Sequence, residues 1–199
     1  GEMCDDLVKA YEQIASQMER VRVASEFGAI ARQELELEEL LRISLEYILA
    51  KVGSTNAALY LPASSGEYSL SAYVNFDCPR DSGETMMEHL ADAVPAALED
   101  RQDIALLSDD DELTALLGEH GRWLSGHTGV GFACHDEQGE CLAVAMLFRD
   151  QRHPFTDEAV QALEAIGPVL AEQLSRIVRV HCRHEPMADD LGLYGDEDG

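Results

Sequence analysis

Lysine is nearly missing from this sequence: Lys9 and Lys51 are the only two, and Lys plus Arg total 14 against 39 Asp plus Glu, a formal net charge of -25. Such a surface repels DNA, RNA and anionic membranes at long range, so direct nucleic-acid binding and membrane docking are not expected. Long apolar runs are missing as well. No stretch approaches the roughly 20 apolar residues of a membrane-spanning helix, and the N-terminus lacks a basic segment followed by an apolar one. The expected setting is soluble and cytoplasmic. The cysteines number five, an odd count at scattered positions, which is no disulfide framework and fits a reducing compartment. No Ser-His-Asp order, phosphate-binding glycine loop or paired-acid motif stands out, so an enzyme is not expected. Asp109-Asp110-Asp111 reads as a solvated acidic turn at a helix start.

What is present is a chain of 199 residues, 46% hydrophobic, enough for one domain with a full core plus extensions. Its most ordered pattern lies in the last third. Val130 to Cys134 alternates apolar and small residues, a turn follows at Glu137-Gln138-Gly139, and Cys141 to Phe148 is apolar throughout. The second run predicts a strand buried on both faces, hence central in a sheet, with the first run as its antiparallel neighbour. Thr156 is a good N-cap for the helix that follows, Asp157 and Glu158 suit its positive end, and Phe155 can staple onto Val160.

The first 36 residues read as one long helix with a coiled-coil seam. Leu7, Ile14, Val21 and Gly28 recur at heptad spacing, and Tyr11, Met18 and Ser25 each follow four positions later, the a/d spacing of two pairing helices. Leu7, Tyr11, Ile14, Met18 and Val21 are the expected seam of a homodimer; the alternative is local packing of the whole helix. The seam weakens at Ser25 and Gly28, where Phe27, Ile30 and Ala31 begin a shifted stripe. The terminal helix carries Leu163, Ile166, Leu170, Leu174 and Ile177 on one face, widened by Val160, Val169 and Val178. Pro168, after Gly167, predicts a kink or static bend near residues 164–168. From Glu185 onward the chain is acidic and reads as a flexible tail or linker. The expected division is 1–36, a signalling helix; 37–182, a globular domain; and 183–199, the acidic tail.

The order of small-apolar strand, Gly turn, all-apolar strand, polar link and Phe155-Thr156-Asp157-Glu158 opening a helix resembles the end of a GAF domain. Extended backwards, the resemblance makes Leu37 to Val52 the first core helix, Ala57 to Leu61 and Tyr68 to Val74 the first two strands, and His89 to Asp109 a middle helix followed by a short strand. It implies an α+β fold, a GAF/PAS-like central antiparallel sheet with the N- and C-terminal helices on one face and a helix- and loop-covered pocket on the other. In that pocket segment fall Tyr73, His89, Arg122, Trp123 and His127, whose aromatic faces and donors suit an apolar cleft for an unidentified small molecule. Arg122 and His127 are expected in a Gly-rich loop. The cyclic-nucleotide signature of relatives is not present in order, a bilin-type Cys-His occurs only at Cys134-His135 in the hairpin, and Cys78 lacks the neighbouring thiols of methionine sulfoxide reductases of this fold. No cofactor can be named.

Two thiol clusters carry alternative chemistry. Simple hairpin pairing sets Cys134 opposite Cys141 and His135 opposite Glu140, so two thiols could meet on one sheet face, although small cysteines in strands are usually packing residues. His181, Cys182 and His184 offer metal ligands at a helix end, with Cys4 a candidate further ligand from the N-terminus, but lack a full tetrahedral set. The expected function is therefore a small-molecule-sensing or regulatory GAF-type domain, acting as a helix-mediated dimer on an effector domain or partner protein. The alternatives are a non-sensing dimerisation scaffold and, third, a thiol redox enzyme using Cys78 or the Cys134 and Cys141 pair.

Overall fold

The computed structural model describes the backbone of residues 1–193 and the side chains through Val180. Two helices come first, α1 (Glu2–Ala31) and α2 (Leu37–Val52), then strands β1 (Asn56–Pro62) and β2 (Tyr68–Val74). Short helices α3 (Gly83–His89) and α4 (Val94–Leu98) lead to β3 (Ala105–Leu107), followed by α5 (Asp110–Leu117), a 3₁₀ segment, β4 (His127–His135), β5 (Cys141–Asp150) and α6 (Asp157–Leu193). All five strands pair antiparallel in the order β2-β1-β5-β4-β3.

The apolar run of β5 is central because a strand with no polar face must be covered on both sides. Ala143 to Phe148 are all buried. Ala143, Ala145 and Leu147 face a core shared with α1, α2 and α6, and Val144, Met146 and Phe148 face a second core under α3, α4 and α5. This is the expected α+β arrangement.

Local chemistry fixes the elements that carry these faces. Gly53, at φ +88°, ends α2 in a conformation that disfavours any side chain. Thr156 Oγ1 accepts from the Ala159 N–H at 3.1 Å, capping α6 as its sequence predicts. Phe155 is buried below it, with the Arg149 guanidinium 4.1 Å above its ring centroid. The same arginine donates to the carbonyls of Val52, His153 and Pro154, tying the α2 end to the α6 entry. Leu163, Ile166, Leu170, Leu174 and Ile177 are all buried on the core face. Gly167 and Pro168 lie within α6, and the helix continues through them.

Three expectations about boundaries and register are corrected. The middle helix is two short helices with a 3₁₀ turn between them, because Pro95 suits a helix start and not its interior. His127 opens β4 and does not sit in a loop, while Arg122 lies in the 3₁₀ segment. The β4–β5 register shifts at a bulge between Cys134 and His135, so Cys134 pairs with Ala143 and His135 with Cys141. Asp136 shapes the turn side of this register: its Oδ1 accepts from the N–H groups of Gln138 and Glu140 at 2.9 Å each, holding a three-residue turn that leaves His135 opposite Cys141, and the bulge adds the further step at Cys134.

Helices α1 and α6 run parallel, since contacts advance together along both. Ser16 Oγ donates to Gln161 Oε1 at 2.8 Å, Arg20 meets Glu164 at 2.8 Å, and Gln173 Nε2 donates to the Glu34 carbonyl at 2.7 Å. Residues 1–15 of α1 are exposed throughout, an overhang of roughly 20 Å at 1.5 Å per residue.

Candidate functional site

The sheet face under α3 to α5, where the sequence places a pocket, is packed with the chain's own side chains. Tyr60, Leu98, Val144, Met146 and Phe148 are fully buried there. Tyr60 donates its hydroxyl to the Met87 carbonyl at 2.7 Å, and burial raises its phenol above the ordinary range. Two glycines of β4 make the filling possible. A Cβ at Gly129 would come within 2.6 Å of Met146 Cε, and one at Gly131 within 2.5 Å of Leu98 Cδ1. The space that side chains at these positions would occupy is taken by Met146 and Leu98.

The five candidate ligand contacts lie at the surface around this packed region. His89 and Trp123 come together, their rings stacked at 5.7 Å and 16° with the indole half exposed. Tyr73 lies on β2, where the Glu84 carboxylate beside it raises its phenol. Arg122 is exposed, its Nε donating to the Glu119 carbonyl at 3.3 Å. His127 meets Phe148 edge-on at 5.5 Å, with Nδ1 at 3.2 Å from the Ser125 carbonyl.

Sequence reasoning missed a polar latch beside these residues. Asp109 caps α5 by accepting from the Glu112 N–H at 2.9 Å, as a helix-start acid should. Asp110 does more: Oδ1 accepts from the Gly126 N–H at 2.9 Å and from Gln151 Nε2 at 2.8 Å, and Oδ2 accepts from Ser125 Oγ at 3.0 Å. The Gly126 N–H, Ser125 and Gln151 hold its carboxyl below the usual range. The latch joins α5, the β4 entry and the β5 exit, residues too far apart in sequence for a local pattern to reveal.

The cysteines part company. Cys134 belongs to the core facing α6, whereas Cys141 packs on the opposite sheet face. Burial pushes the Cys134 thiol up to about 12, and burial also raises Cys141 and Cys78. None of these three has the depressed value of a reactive thiolate. Among the described residues no group of three or more His, Cys, Asp or Glu is placed to hold a metal ion. His181, Cys182 and His184, like the 183–199 segment, lie outside the described side chains.

The remaining candidate is the helical flank. Leu7, Tyr11, Ile14, Met18 and Val21 are each more than half exposed. Val23, Phe27 and Ala31 bury the other side of α1, and Phe27 stacks on Tyr47 at 5.0 Å. Ile14, Met18 and Val21 each lie two positions before a residue that meets the domain, Ser16, Arg20 and Val23, a rotation of about 200°. The two stripes therefore lie on nearly opposite sides of α1.

Comparison with known proteins fits this architecture. The GAF domain family model matches residues 36–174, and the chain belongs to the GAF domain family. Among solved structures, a GAF domain/HD domain protein from Geobacter sulfurreducens superposes with a TM-score of 0.59 at 12% identity, covering 71% of this chain and 94% of that one. The GAF domain of a phosphoenolpyruvate-protein phosphotransferase from Coxiella burnetii gives 0.62 at 15% identity, covering 83% and 98%. Residues 122 to 287 of a methyl-accepting chemotaxis protein give 0.55 at 15% identity, covering 77% and 98%. A search of curated protein sequences gives no match. Among the described residues, no helix is long and apolar enough to cross a membrane.

Proposed function

We propose that this chain is a regulatory GAF module of a signal-transduction protein that works as a homodimer paired through α1. The carrying observation is the exposed apolar stripe of α1, turned away from the domain that its opposite side packs against. An isolated helical segment as short as this overhang is marginal in water, and a row of large apolar side chains gains stability only when covered. The parallel run of α1 and α6 suits a relay: α1 enters at one end of the domain and α6 leaves at the other, so a shift in α1 pairing alters the direction in which α6 exits. The chemotaxis, phosphotransferase and HD-domain contexts of the structural neighbours support a regulatory setting and an effector or partner protein.

Hydrogen exchange tests this reading. Amides of residues 5–14 are expected to be protected at high micromolar concentration and to lose protection on dilution, as only a partner can hold that segment. Fast exchange at every concentration would contradict it.

A second reading keeps the small-molecule sensor. It is supported by the stacked, half-exposed pair His89 and Trp123, which offers a flat aromatic surface beside Arg122 in the sequence. Tyr73 and His127 belong to the same reading as more distant contacts. Native mass spectrometry of protein purified from its own host tests it: a retained small molecule, lost in Trp123→Ala, supports sensing, and bare polypeptide mass argues against it.

A further inference from the structure

The two edges of the sheet differ. β3, at one edge, is three residues long, whereas β2, at the other, runs for seven and pairs with β1 alone. An edge strand turns every second N–H and C=O away from the sheet, and native edges are commonly blunted by shortness, charge or proline. β2 carries no charged residue and no proline, in a chain that is 27% charged. A bulge at Ser71 divides it and leaves Ala72, Tyr73 and Val74 in regular register on Leu59, Ala58 and Ala57. Among the described residues, no main-chain hydrogen bond from outside the β1–β2 ladder reaches β2.

The edge lies in a groove of about 380 Å³. Helix α2 walls it from one face of the sheet with Glu38 and Arg42, and α3 walls it from the other with Glu84 and Glu88. Tyr73, paired with Ala58, lies on the α3 side. Arg42 is engaged on its own helix by Glu39 and Glu46. Among the described residues no salt bridge holds Glu38, Glu84 or Glu88, so both walls present uncompensated carboxylates. The chain after the strand is held in place: buried Asn56 accepts from the N–H groups of Phe76 and Asp77 at 2.8 and 3.2 Å. Phe76 is nevertheless 56% exposed, a fixed apolar anchor two residues past the strand.

We infer that the outer edge of β2 docks an extended basic segment of a partner protein, which adds to the sheet as a further strand. The site is separate from the α1 dimer and does not depend on it. Main-chain hydrogen bonds to the free edge supply the pairing. Successive side chains of the added strand point to opposite faces, so adjacent Lys or Arg residues reach Glu38 on one wall and Glu84 and Glu88 on the other. The cation on the α3 side also meets the Tyr73 ring, which favours it.

Charge selects against the other occupants. A second copy brings a net charge of -25 to a groove that is already acidic, and like charges disfavour that encounter. The chain's own end is no better suited, since no Lys or Arg follows Arg183.

Strand addition has a signature that charge attraction lacks. Alternate N–H groups of an added strand face β2, so methylating the peptide nitrogens at odd or at even positions gives opposite results. The probe is a short fluorescein-labelled peptide of alternating valine and threonine with two adjacent arginines at its centre. It is titrated with the full chain at roughly 0.15 M salt and read by anisotropy, with hydrogen exchange of β2 followed in parallel. The expected result is saturable binding, kept by one N-methylated peptide and weakened about tenfold or more in the other. The surface double variant Glu84→Gln with Glu88→Gln should lose about tenfold in affinity, and the peptide should slow exchange in β2. No saturable binding, equal binding of the two N-methylated peptides, or a double variant that binds like wild type would each overturn the inference. Exchange in β2 that slows with protein concentration alone would give the edge to a second copy and overturn it as well.

Discussion

Arg20 on α1 meets Glu164 on α6 at 2.8 Å, one turn beyond the hydrogen bond from Ser16 to Gln161. The pair is exposed and adds little to stability. Its value is directional: with Gln173 reaching the Glu34 carbonyl further along, it records that the two long helices run side by side in the same sense. The buried stripe of Val23, Phe27 and Ala31 supplies the adhesion, so α1 is fixed to the domain by one side and free on the other.

Packing on the sheet face under α3 to α5 is tested at Gly131. A methyl group there would lie 2.5 Å from Leu98 Cδ1 and 3.3 Å from Met146 Sδ, with both side chains fully buried. Gly131→Ala should destabilise by about 1 to 3 kcal/mol through overpacking. Leu98→Ala alone should cost about 2 to 5 kcal/mol by leaving a cavity. The double variant should lose less than the sum, because the new methyl partly fills that cavity. Urea unfolding measures all three, and strict additivity would mean that the two sites do not touch.

How much of this was legible in the sequence depended on the range of each signal. The heptads of α1, the all-apolar β5 and the Thr156 cap are local patterns, and each forms the expected element. The register of β4 on β5 turned on a three-residue turn held by Asp136, whose side chain captures two backbone N–H groups, and on the bulge at Cys134. That choice is not visible in hydrophobic periodicity. Filling of the α3–α5 face depends on Gly129 and Gly131 meeting Met146 and Leu98 across the fold, and the Asp110 latch joins residues up to 41 apart. Such meetings need the tertiary structure.

Thiol reactivity separates core cysteines from accessible ones. In native protein Cys134, with its thiol near 12, should remain unmodified by iodoacetamide while Cys4, exposed in the single chain, reacts at concentrations low enough to separate the dimer. Cys4 should slow as concentration rises and the seam closes over it. Equal rates for Cys4 and Cys134 would place Cys134 outside the core.

The Asp110 latch predicts an acid-side signature. Its folded carboxyl is held below the usual value, chiefly by the Gly126 N–H. The stability it contributes is therefore present above the unfolded aspartate value of about 3.9 and is lost as pH falls through the folded one. In urea midpoints, wild type should exceed Asp110→Asn at neutral pH, and the gap should narrow as pH drops below about 4. A gap that does not change with pH would show that the carboxylate charge is not what the latch uses.

Sedimentation equilibrium of wild type and Ile14→Asp tests the central claim most directly. Ile14 is exposed in the single chain and makes the middle of the seam, so a charge there leaves the domain folded but must be buried unpaired in a dimer. The account predicts a wild-type mass of twice 21.9 kDa at micromolar concentration, and an Ile14→Asp monomer with the wild-type melting transition of its globular part. A wild-type monomer across that range, or an Ile14→Asp dimer as tight as wild type, would contradict it.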